Sequence, residues 1–345
     1  PGTLFVAYRG DGRDSHQVIE DAIKHGASGV ICSRPPTCST QDVSVILVKD
    51  TLAALLLWAQ KVLQKYGTRV IGIAGSTDKD ATISTAAAVL ETRYRVHVCD
   101  VHPQEPRLAI PLAVATLKPE HELSLLRLSA TRPGDLPGMV NLARPEVAVI
   151  TDLHHTGLDT FATLDDILDE HAALAAAVPP GGLVILNHDD DFVRPLAERA
   201  RGRVISFSVD NFGGDLLIYN IIDGLNGTGF DLRYQGERYV GRWVPLLGQG
   251  HMRAVCAAVL IGLRFDINVD TALSALKHLE PTGSRMRPRT GQNGAVLIDD
   301  THSATVETTL AALNWLAAVR AEQQRVIVVL GDIEHLGGYA AAGHR

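Results

Sequence analysis

The chain has 345 residues, of which 46% are hydrophobic and 21% are charged, a composition typical of a folded protein and not of a disordered one. A formal net charge of −7 and a sequence pI near 6.1 disfavour a broad interface with nucleic acid or with an anionic membrane, because both require a concentrated basic surface. No apolar run reaches the ~20 residues of a membrane span, and no signal peptide is recognisable, so we expect a cytoplasmic protein.

The N-terminal residues are predicted to form a small α/β unit. A helix should begin at Thr51 and end near Tyr66, where Gly67 can adopt the left-handed conformation that often ends helices. We therefore assign residues 1–50, which precede this helix, to an N-terminal domain. The elements predicted inside that domain are strands 4–8, 29–32 and 45–48 and a helix over 16–24.

The next segment, residues 70–82, has the outline of a phosphate-binding loop. An apolar strand leads through Gly75 to Lys79, and the order of strand, glycine turn and helix N-terminus is the one that holds phosphate. Asp78 precedes the lysine at a position where glycine would let the backbone approach the anion. Asp80 follows the lysine, where Ser or Thr would hold Mg²⁺. Two carboxylates therefore stand where phosphates would lie.

From residue 70 onward strands and helices alternate, which predicts a mostly parallel sheet with helices on both faces and ligands at the carboxyl ends of the strands. Three later strands are separated by short turns and are expected to be antiparallel. The predicted parallel strands are 70–74, 95–99, 123–128, 147–151, 183–186 and 204–207, the antiparallel strands are 216–222, 230–234 and 239–244, and the helices are 84–91, 164–177, 251–262 and 270–277.

A third unit is predicted to open near Pro281. It contains a strand over 295–299, a helix over 305–319 and a strand over 325–330. We expect this domain to be incomplete. The predicted α/β domains are 1–50, 51–280 and 281–345.

Short motifs in a fixed order indicate a family. They are Pro1–Gly10 with Asp14 and His16, Arg132-Pro-Gly-Asp135, Val149-Ile-Thr-Asp152, Leu186-Asn-His-Asp-Asp190, Leu247-Gly248, Ile298-Asp-Asp300 and Leu330-Gly-Asp332. On these motifs the chain resembles the Mur ligases, ATP-dependent enzymes that add amino acids to UDP-N-acetylmuramoyl peptides, and most closely the branch that adds the later residues. The resemblance implies a three-domain architecture with a central, mostly parallel P-loop-type sheet, a small α/β N-terminal domain and a Rossmann-like C-terminal domain.

The resemblance also implies two groups of binding residues. In the N-terminal domain, Asp14 and His16 are similar to the residues that recognise the UDP-sugar. The positions implied for ATP are Gly75, Lys79, Asn187, Arg285 and Asp300.

At five positions of this family pattern the residue type differs. Asp78 and Asp80 flank the loop lysine, and the family's magnesium-binding glutamate falls at Arg127. The family's metal-binding histidine falls at Gly157, and its carbamylated lysine falls at His171, whose imidazole cannot form a carbamate. Losing one group that stabilises developing charge typically costs ~2.7–4 kcal/mol, so several losses together would leave little rate.

Two interpretations of the loop carboxylates stay open. They can be solvated acids at a helix N-terminus, where the dipole stabilises them by ~0.3–1 kcal/mol. They can also pair with Arg127 and fill the emptied metal site, which requires the guanidinium to lie within ~4 Å of a carboxylate.

The histidines after the strand 147–151 also leave an alternative open. His154 and His155 could form a relocated metal site with Asp152 and Asp159. Histidines packed at a strand end are the commoner arrangement.

Three functions follow from the sequence. We favour a catalytically inactive Mur-ligase-like protein, a structural or regulatory subunit that binds a protein partner in a larger assembly and no cofactor. The alternative is an active ATP-dependent amide ligase that uses ATP and Mg²⁺, which Lys79, Asn187 and Asp300 permit. The second alternative is a module that binds a UDP-sugar through residues 1–50.

Overall fold

The computed structural model describes residues 2–10, 13–99, 106–155, 157–280, 283–321 and 325–345. The chain divides into two compact units, Pro1–Gly67 with Val101–Thr116 and Thr68–Asp100 with Leu117–Arg345. The fold is mixed α/β, as predicted. The three predicted domain boundaries stay a prediction.

Strands and helices alternate through much of the chain. The strands are Thr3–Val6 (β1), Arg9–Gly10 (β2), Arg13–Asp14 (β3), Ala27–Cys32 (β4), Ser44–Leu47 (β5), Arg69–Ala74 (β6), Val96–Val98 (β7), Leu123–Arg127 (β8), Val147–Ile150 (β9), Leu183–Asn187 (β10), Arg203–Val209 (β11), Leu216–Gly224 (β12), Gly227–Tyr234 (β13), Glu237–Val244 (β14), Arg287–Thr290 (β15) and Val296–Asp299 (β16). The α-helices are Ile19–Lys24 (α1), Thr51–Tyr66 (α2), Lys79–Leu90 (α3), Ala109–Thr116 (α4), Asp135–Ala143 (α5), Leu164–Ala177 (α6), Gln249–Arg264 (α7), Val269–Leu276 (α8), Val306–Val319 (α9) and Ala340–Gly343 (α10). Short 3₁₀ helices lie at Ser15–Val18, Pro106–Leu108, Arg194–Arg199, Gln292–Gly294 and Gly337–Tyr339.

The first unit is built on the parallel sheet β1-β4-β5. Its helix α2 begins where the Asp50 side chain accepts a hydrogen bond from the Ala53 amide and ends at Gly67, whose φ of 65° is left-handed. Helix α4 packs on α2. The sequence analysis did not predict α4, because its residues are apolar without a helical period and include Pro111.

The second unit contains, among the described residues, a sheet of nine strands in the order β14-β13-β12-β11-β10-β9-β6-β8-β7. The pairs from β7 to β12 are parallel, and β12-β13 and β13-β14 are antiparallel, which confirms the predicted extension. Most residues in the middle of the parallel strands are apolar and buried, because helices cover both faces of the sheet. Strand β6 lies between β8 and β9, so the loop that follows β6 lies beside the ends of both neighbours.

The helices α3 and α7 pack closely against each other. A Cβ added at Gly262 would lie 2.8 Å from Val89 Cγ1, so the glycine permits the close approach. Helix α7 is apolar on nearly all sides, which fits a helix enclosed by the core.

The C-terminal residues differ from the prediction in one element. The hairpin of β15 and β16 forms, and α9 begins at a capping box on Thr305. Residues 325–330, which were predicted to form a strand, form none in this structure, so that prediction is wrong. Ile327 and Val329 are 71% and 90% exposed, because an apolar pattern alone gives no strand when no neighbouring strand pairs with its backbone.

No helix in the part of the chain that the structure describes has both the length and the apolar character needed to cross a membrane.

Candidate functional site

The predicted phosphate-binding loop lies at the carboxyl end of β6. Its neighbours are the ends of β8, where Arg127 pairs in register with Ile73, and of β9, where Thr151 follows the strand. Gly75 has a φ of 140°, and a Cβ there would clash with the Thr151 hydroxyl. Only glycine therefore permits the loop backbone to turn at this point.

Asp152 fixes the conformation of this loop. Its carboxylate accepts a 2.7 Å hydrogen bond from the Thr77 amide and a second, shorter one from the Thr77 hydroxyl. Its main-chain carbonyl accepts from the Ser76 amide at 2.8 Å. Burial alone would raise the pKa of Asp152, but the hydrogen bond and the charge of His154 hold that pKa well below its usual range. The carboxylate therefore stays ionised and continues to accept these bonds.

Lys79 extends back over the loop that precedes it. Its side chain is buried, and its Nζ donates to the carbonyls of Gly75 at 2.5 Å and Ser76 at 2.9 Å. Burial, and then the charge of Arg127, lower the pKa of the ammonium to about 8. The loop thus holds a cation in a fixed position.

Asp78 is paired with an arginine that the sequence analysis missed. Asp78 is left-handed at φ 58°, and its carboxylate accepts from Arg253 Nη2 at 2.7 Å and Nε at 3.1 Å. A Cβ added at Gly250 would lie 2.6 Å from Asp78 Oδ1, so glycine leaves room for the carboxylate. One signal could have revealed Arg253: it is a lone charge in the apolar run 252–262, and a buried charge requires a partner.

Asp80 is paired with Arg127, as the second interpretation predicts. Arg127 Nη1 lies 3.1 Å from both oxygens of the Asp80 carboxylate, well within 4 Å. His302 Nε2 lies 3.1 Å from Asp80 Oδ2, a contact that the sequence analysis also missed. Asp80 is therefore not simply a solvated acid at a helix N-terminus.

The two histidines after β9 contact different groups. His154 Nε2 lies 3.1 Å from Asp152 Oδ2, while the His155 ring stacks on Tyr339 with 4.7 Å between the ring centroids. Burial alone would lower the pKa of His154, but Asp152 raises it to about 9. Within the described ranges, no group of three or more His, Cys, Asp or Glu residues is placed to hold a metal ion, so the relocated metal site is not supported.

Gly157 and His171 form hydrogen bonds with main-chain carbonyls outside the loop. Gly157 is left-handed at φ 83°, and its amide donates to the His335 carbonyl at 2.9 Å. His171 is buried in α6, where its Nδ1 lies 2.8 Å from the Ile167 carbonyl oxygen. Burial lowers the pKa of His171 to about 4, so the imidazole is neutral near pH 7.

A cleft opens beside the loop. Arg285 Nη1 donates to the Ser303 carbonyl at 3.0 Å and lies 3.4 Å from Asp300, whose carboxylate also accepts from the Met286 amide at 3.1 Å. Asn187 lies outside the lining and accepts from the Asp189 amide at 3.0 Å. The lining residues are Asp78, Ala81, Leu247, Gly248, Gln249, Gly250, His251, Arg253, Arg285, Met286, Asp300, Thr308, Ala311 and Ala312.

A second polar group, centred on Asp14, lies in the first unit. The Asp14 carboxylate lies 2.7 Å from His16 Nδ1, 3.0 Å from Arg9 Nε and 2.9 Å from Arg34 Nη2. His16 Nε2 accepts from the Ser33 amide at 2.9 Å, so Nδ1 carries the proton that is donated to Asp14. Asp14 and His16 therefore act as one unit that holds two arginines.

Sequence comparison identifies related proteins. The family profile described as the Mur ligase middle domain matches residues 73–262. A UDP-N-acetylmuramoyl-tripeptide--D-alanyl-D-alanine ligase from Bacillus subtilis (strain 168) is 27% identical over 342 residues, which cover 99% of this chain and 73% of that protein. The ligase of the same name from Escherichia coli (strain K12) is 27% identical and is matched over 100% of this chain and 75% of its own length.

Solved structures show the same fold. MurF from Acinetobacter baumannii superposes with a TM-score of 0.88 at 23% identity, covering 99% of this chain and 73% of that one. MurF from Thermotoga maritima, solved in complex with ADP, superposes with a TM-score of 0.82 at 21% identity, covering 99% and 77%. The predicted architecture, a large and mostly parallel central sheet within the three-domain Mur ligase fold, is thereby confirmed.

These comparisons correct the functional interpretation drawn from the sequence. The hypothesis of a catalytically inactive structural or regulatory subunit is wrong, because relatives that match 99% and 100% of the chain are named as ligases. The alternative of an active ligase fits this finding better. The sequence analysis counted the changed positions together as losses, whereas in the structure the new charges of the loop are paired, Asp78 with Arg253 and Asp80 with Arg127.

Proposed function

Because the chain belongs to the Mur ligase family, we propose that it is an active ATP-dependent ligase that joins a carboxylate of a UDP-N-acetylmuramoyl-peptide-like substrate to an amine. The observation that carries the proposal is the match, over the whole chain, to proteins named as UDP-N-acetylmuramoyl-tripeptide--D-alanyl-D-alanine ligases. On this basis D-alanyl-D-alanine is the amine substrate to test first.

The cleft and the loop fit ATP. The cleft lies beside the loop, and its lining includes the charged side chains of Arg253, Arg285 and Asp300. Gly75 brings the loop backbone to the carboxyl end of the sheet, and Lys79 holds an ammonium group there. Bound ATP supplies the phosphoryl group that activates a carboxylate for attack by an amine.

Hydrogen bonds within the protein hold the residues around the loop in place. Asp152 fixes Ser76 and Thr77 through three hydrogen bonds, and Lys79 is held by two carbonyls. A cation in a fixed position stabilises developing negative charge without reorganising during the reaction. We assign this role to Lys79.

The same loop does not fit a Mg²⁺ ion held by the protein. Mg²⁺ is usually bound by one or two carboxylates together with substrate phosphates. Both oxygens of Asp80 face Arg127, and the Asp78 carboxylate is bonded twice to Arg253. A metal ion bound to the phosphates of the nucleotide would lie next to the positively charged guanidinium of Arg127 at the end of β8.

The sugar-nucleotide substrate has a candidate site in the first unit. Asp14 holds the guanidinium groups of Arg9 and Arg34, which are 64% and 49% exposed. Arginine forms bidentate hydrogen bonds with phosphate oxygens, so two exposed arginines suit a diphosphate. In this proposal Asp14 and His16 orient both arginines toward the UDP group.

The test is direct detection of the amide product. Full-length protein is incubated with ATP, UDP-N-acetylmuramoyl-tripeptide and D-alanyl-D-alanine, and the product is measured by mass spectrometry alongside phosphate release. We expect a product whose mass equals the sum of both substrates less one water, and loss of product in Lys79→Met. Phosphate release that does not depend on the dipeptide, without any amide product, would contradict the proposal.

A further inference from the structure

The two ion pairs beside Lys79 differ in how firmly they are held. The side chains of Asp78 and Arg253 are 4% and 20% exposed, and two hydrogen bonds join them. The side chains of Asp80 and Arg127 are 35% and 27% exposed. Opening the first pair would leave a buried carboxylate without a partner, whereas partly exposed pairs contribute little stability. The pair of Asp80 and Arg127 is also joined by two hydrogen bonds, each of 3.1 Å, but it is more exposed, so we expect it to open at a lower cost than the pair of Asp78 and Arg253.

Arg127 has a favourable position for reaching a ligand at the loop. It is the last residue of β8 and pairs in register with Ile73 of β6, two residues before the loop glycine, Gly75. Burial and the charge of Arg127 lower the pKa of the Lys79 ammonium, whereas the charges of the carboxylates Asp152, Asp80 and Asp78 raise it. A polyphosphate bound between Arg127 and Lys79 would be attracted by both cations.

The carboxylate that Arg127 would leave keeps another partner. His302 Nε2 lies 3.1 Å from Asp80 Oδ2, and the imidazole is 42% exposed. Asp80 is also the second residue of α3, where the helix dipole stabilises a negative charge. Movement of Arg127 would therefore not leave the Asp80 carboxylate unpaired.

We propose that Arg127 is a nucleotide-binding residue that leaves Asp80 to contact the phosphate chain of ATP, so that ATP binds at this loop without needing a divalent metal ion. The proposal rests on the ligase function proposed above, because that function brings ATP to the loop. Arg127 would provide at the end of β8 the positive charge that a metal ion provides in other phosphate sites. Its planar guanidinium can donate two hydrogen bonds to phosphate oxygens.

The experiment measures binding of ATP and AMP by isothermal titration calorimetry, in EDTA and in MgCl₂, with full-length protein. We expect the wild-type Kd for ATP in EDTA to lie within about threefold of its value in MgCl₂. Arg127→Gln should weaken binding of ATP in EDTA about tenfold or more, because a charge-assisted hydrogen bond is lost. Binding of AMP should change little, since AMP lacks the outer phosphates.

Two further variants test the exchange of partners. Asp80→Asn removes the negative charge that competes with ATP for Arg127, so this variant should bind ATP more strongly in EDTA. If Asp80 instead held a metal ion, the same variant would bind ATP more weakly in MgCl₂. Arg242→Gln is the matched control. Arg242 lies on the edge strand β14, its side chain is 28% exposed, and its guanidinium lies 2.7 Å from the Asp270 carboxylate. It should leave the binding of ATP unchanged.

The outcomes separate this proposal from the ligase function. ATP binding that disappears in EDTA, or that Arg127→Gln leaves unchanged, overturns the role of Arg127 even when amide product forms. Metal-free ATP binding that depends on Arg127 supports the role even when the ligase assay fails. Arg127→Lys, which keeps the charge, should bind ATP better than Arg127→Gln, and thermal unfolding of each variant identifies a loss of folding.

Discussion

At the scale of single residues, the cost of burying charge decides which contacts of the loop are structural. Breaking a buried ion pair by removing one partner typically costs ~3–5 kcal/mol, whereas an exposed pair contributes ~0–1 kcal/mol. Asp78 and Arg253 belong to the first class and Asp80 and Arg127 are nearer the second. We therefore expect that breaking the pair of Asp78 and Arg253 costs more than breaking the pair of Asp80 and Arg127.

Arg253→Ala should therefore lower the free energy of unfolding by about 3–5 kcal/mol, because it leaves the Asp78 carboxylate buried without a partner. The double variant Asp78→Gly, Arg253→Ala should recover most of this loss. Glycine also removes the cost of the left-handed conformation at residue 78, about 1–2 kcal/mol. Urea denaturation of the wild type, both single variants and the double variant gives the interaction energy between the two side chains. Additive losses in the double variant would show that the two side chains do not interact.

A second prediction concerns pH and Lys79. The pKa of this ammonium is about 8 in the folded protein and ~10.4 for a lysine in an unfolded chain. Between about pH 8 and about pH 10.4 the unfolded chain binds more protons at this lysine than the folded protein does, so the free energy of unfolding rises with pH. Below about pH 8 the lysine is protonated in both states, and the cost of burying its charge is fully present. The stability of the wild type relative to Lys79→Met should rise by roughly 2–3 kcal/mol between pH 7.5 and pH 10.5. Urea denaturation across this range measures the difference, and a constant difference would contradict the lowered pKa.

At the scale of elements, α5 depends on a side chain from another helix. Its sequence contains Pro137 and Gly138, both weak helix formers, and its N-cap residue, Gly134, has no side chain to cap it. The buried carboxylate of Glu170 on α6 accepts from the amides of Gly134 at 2.9 Å and Leu136 at 2.7 Å. Glu170 thus replaces the missing local cap.

Glu170→Ala should destabilise the protein by about 2–4 kcal/mol, because it removes two charge-assisted bonds and leaves two amides without a partner. Asp169→Ala is the matched control: Asp169 lies on the same helix but is 70% exposed, so its change should stay within about 0.5 kcal/mol. Hydrogen exchange should accelerate at the amides of α5 in Glu170→Ala. Equal effects of both substitutions would refute the capping role.

At the scale of the whole molecule, the two units separate the proposed binding tasks. The loop, Arg127 and the cleft all belong to the second unit, whereas Asp14 and His16 belong to the first. ATP should therefore bind to the second unit, and the UDP-sugar substrate should bind to the first.

Hydrogen exchange measured with each ligand alone checks this division. ATP should slow exchange around residues 75–80 and 247–253, which form the loop and one wall of the cleft. UDP-N-acetylmuramoyl-tripeptide should slow exchange around residues 14–16 and 33–34, where Asp14 holds its partners. Protection by ATP that is confined to the first unit would contradict the assignment of the nucleotide site.

The sequence predicted the parallel sheet and the loop, because strand periodicity and the glycine turn are local signals. It offered the pairing of Asp80 with Arg127 as one of two interpretations, because their residue types differ from the family pattern in a complementary way. It did not reveal the pair of Asp78 and Arg253, whose partners are 175 residues apart. Helix α5 was missed because Pro137 and Gly138 oppose a helix, and Glu170, which compensates for them, lies on another element. Residues 325–330 were predicted to form a strand and form none, because their apolar pattern does not specify a partner strand.

The first unit draws its chain from two stretches, residues 1–67 and 101–116, with part of the second unit between them in sequence. A gene fragment that stops at Gly67 would encode α2 but not α4, which packs on it. A single crossover between homologous genes therefore cannot exchange this unit without also exchanging residues 68–100 of the second unit. Exchanging the first unit alone would need further junctions, one on each side of the intervening segment, or a permuted gene that joins the two stretches.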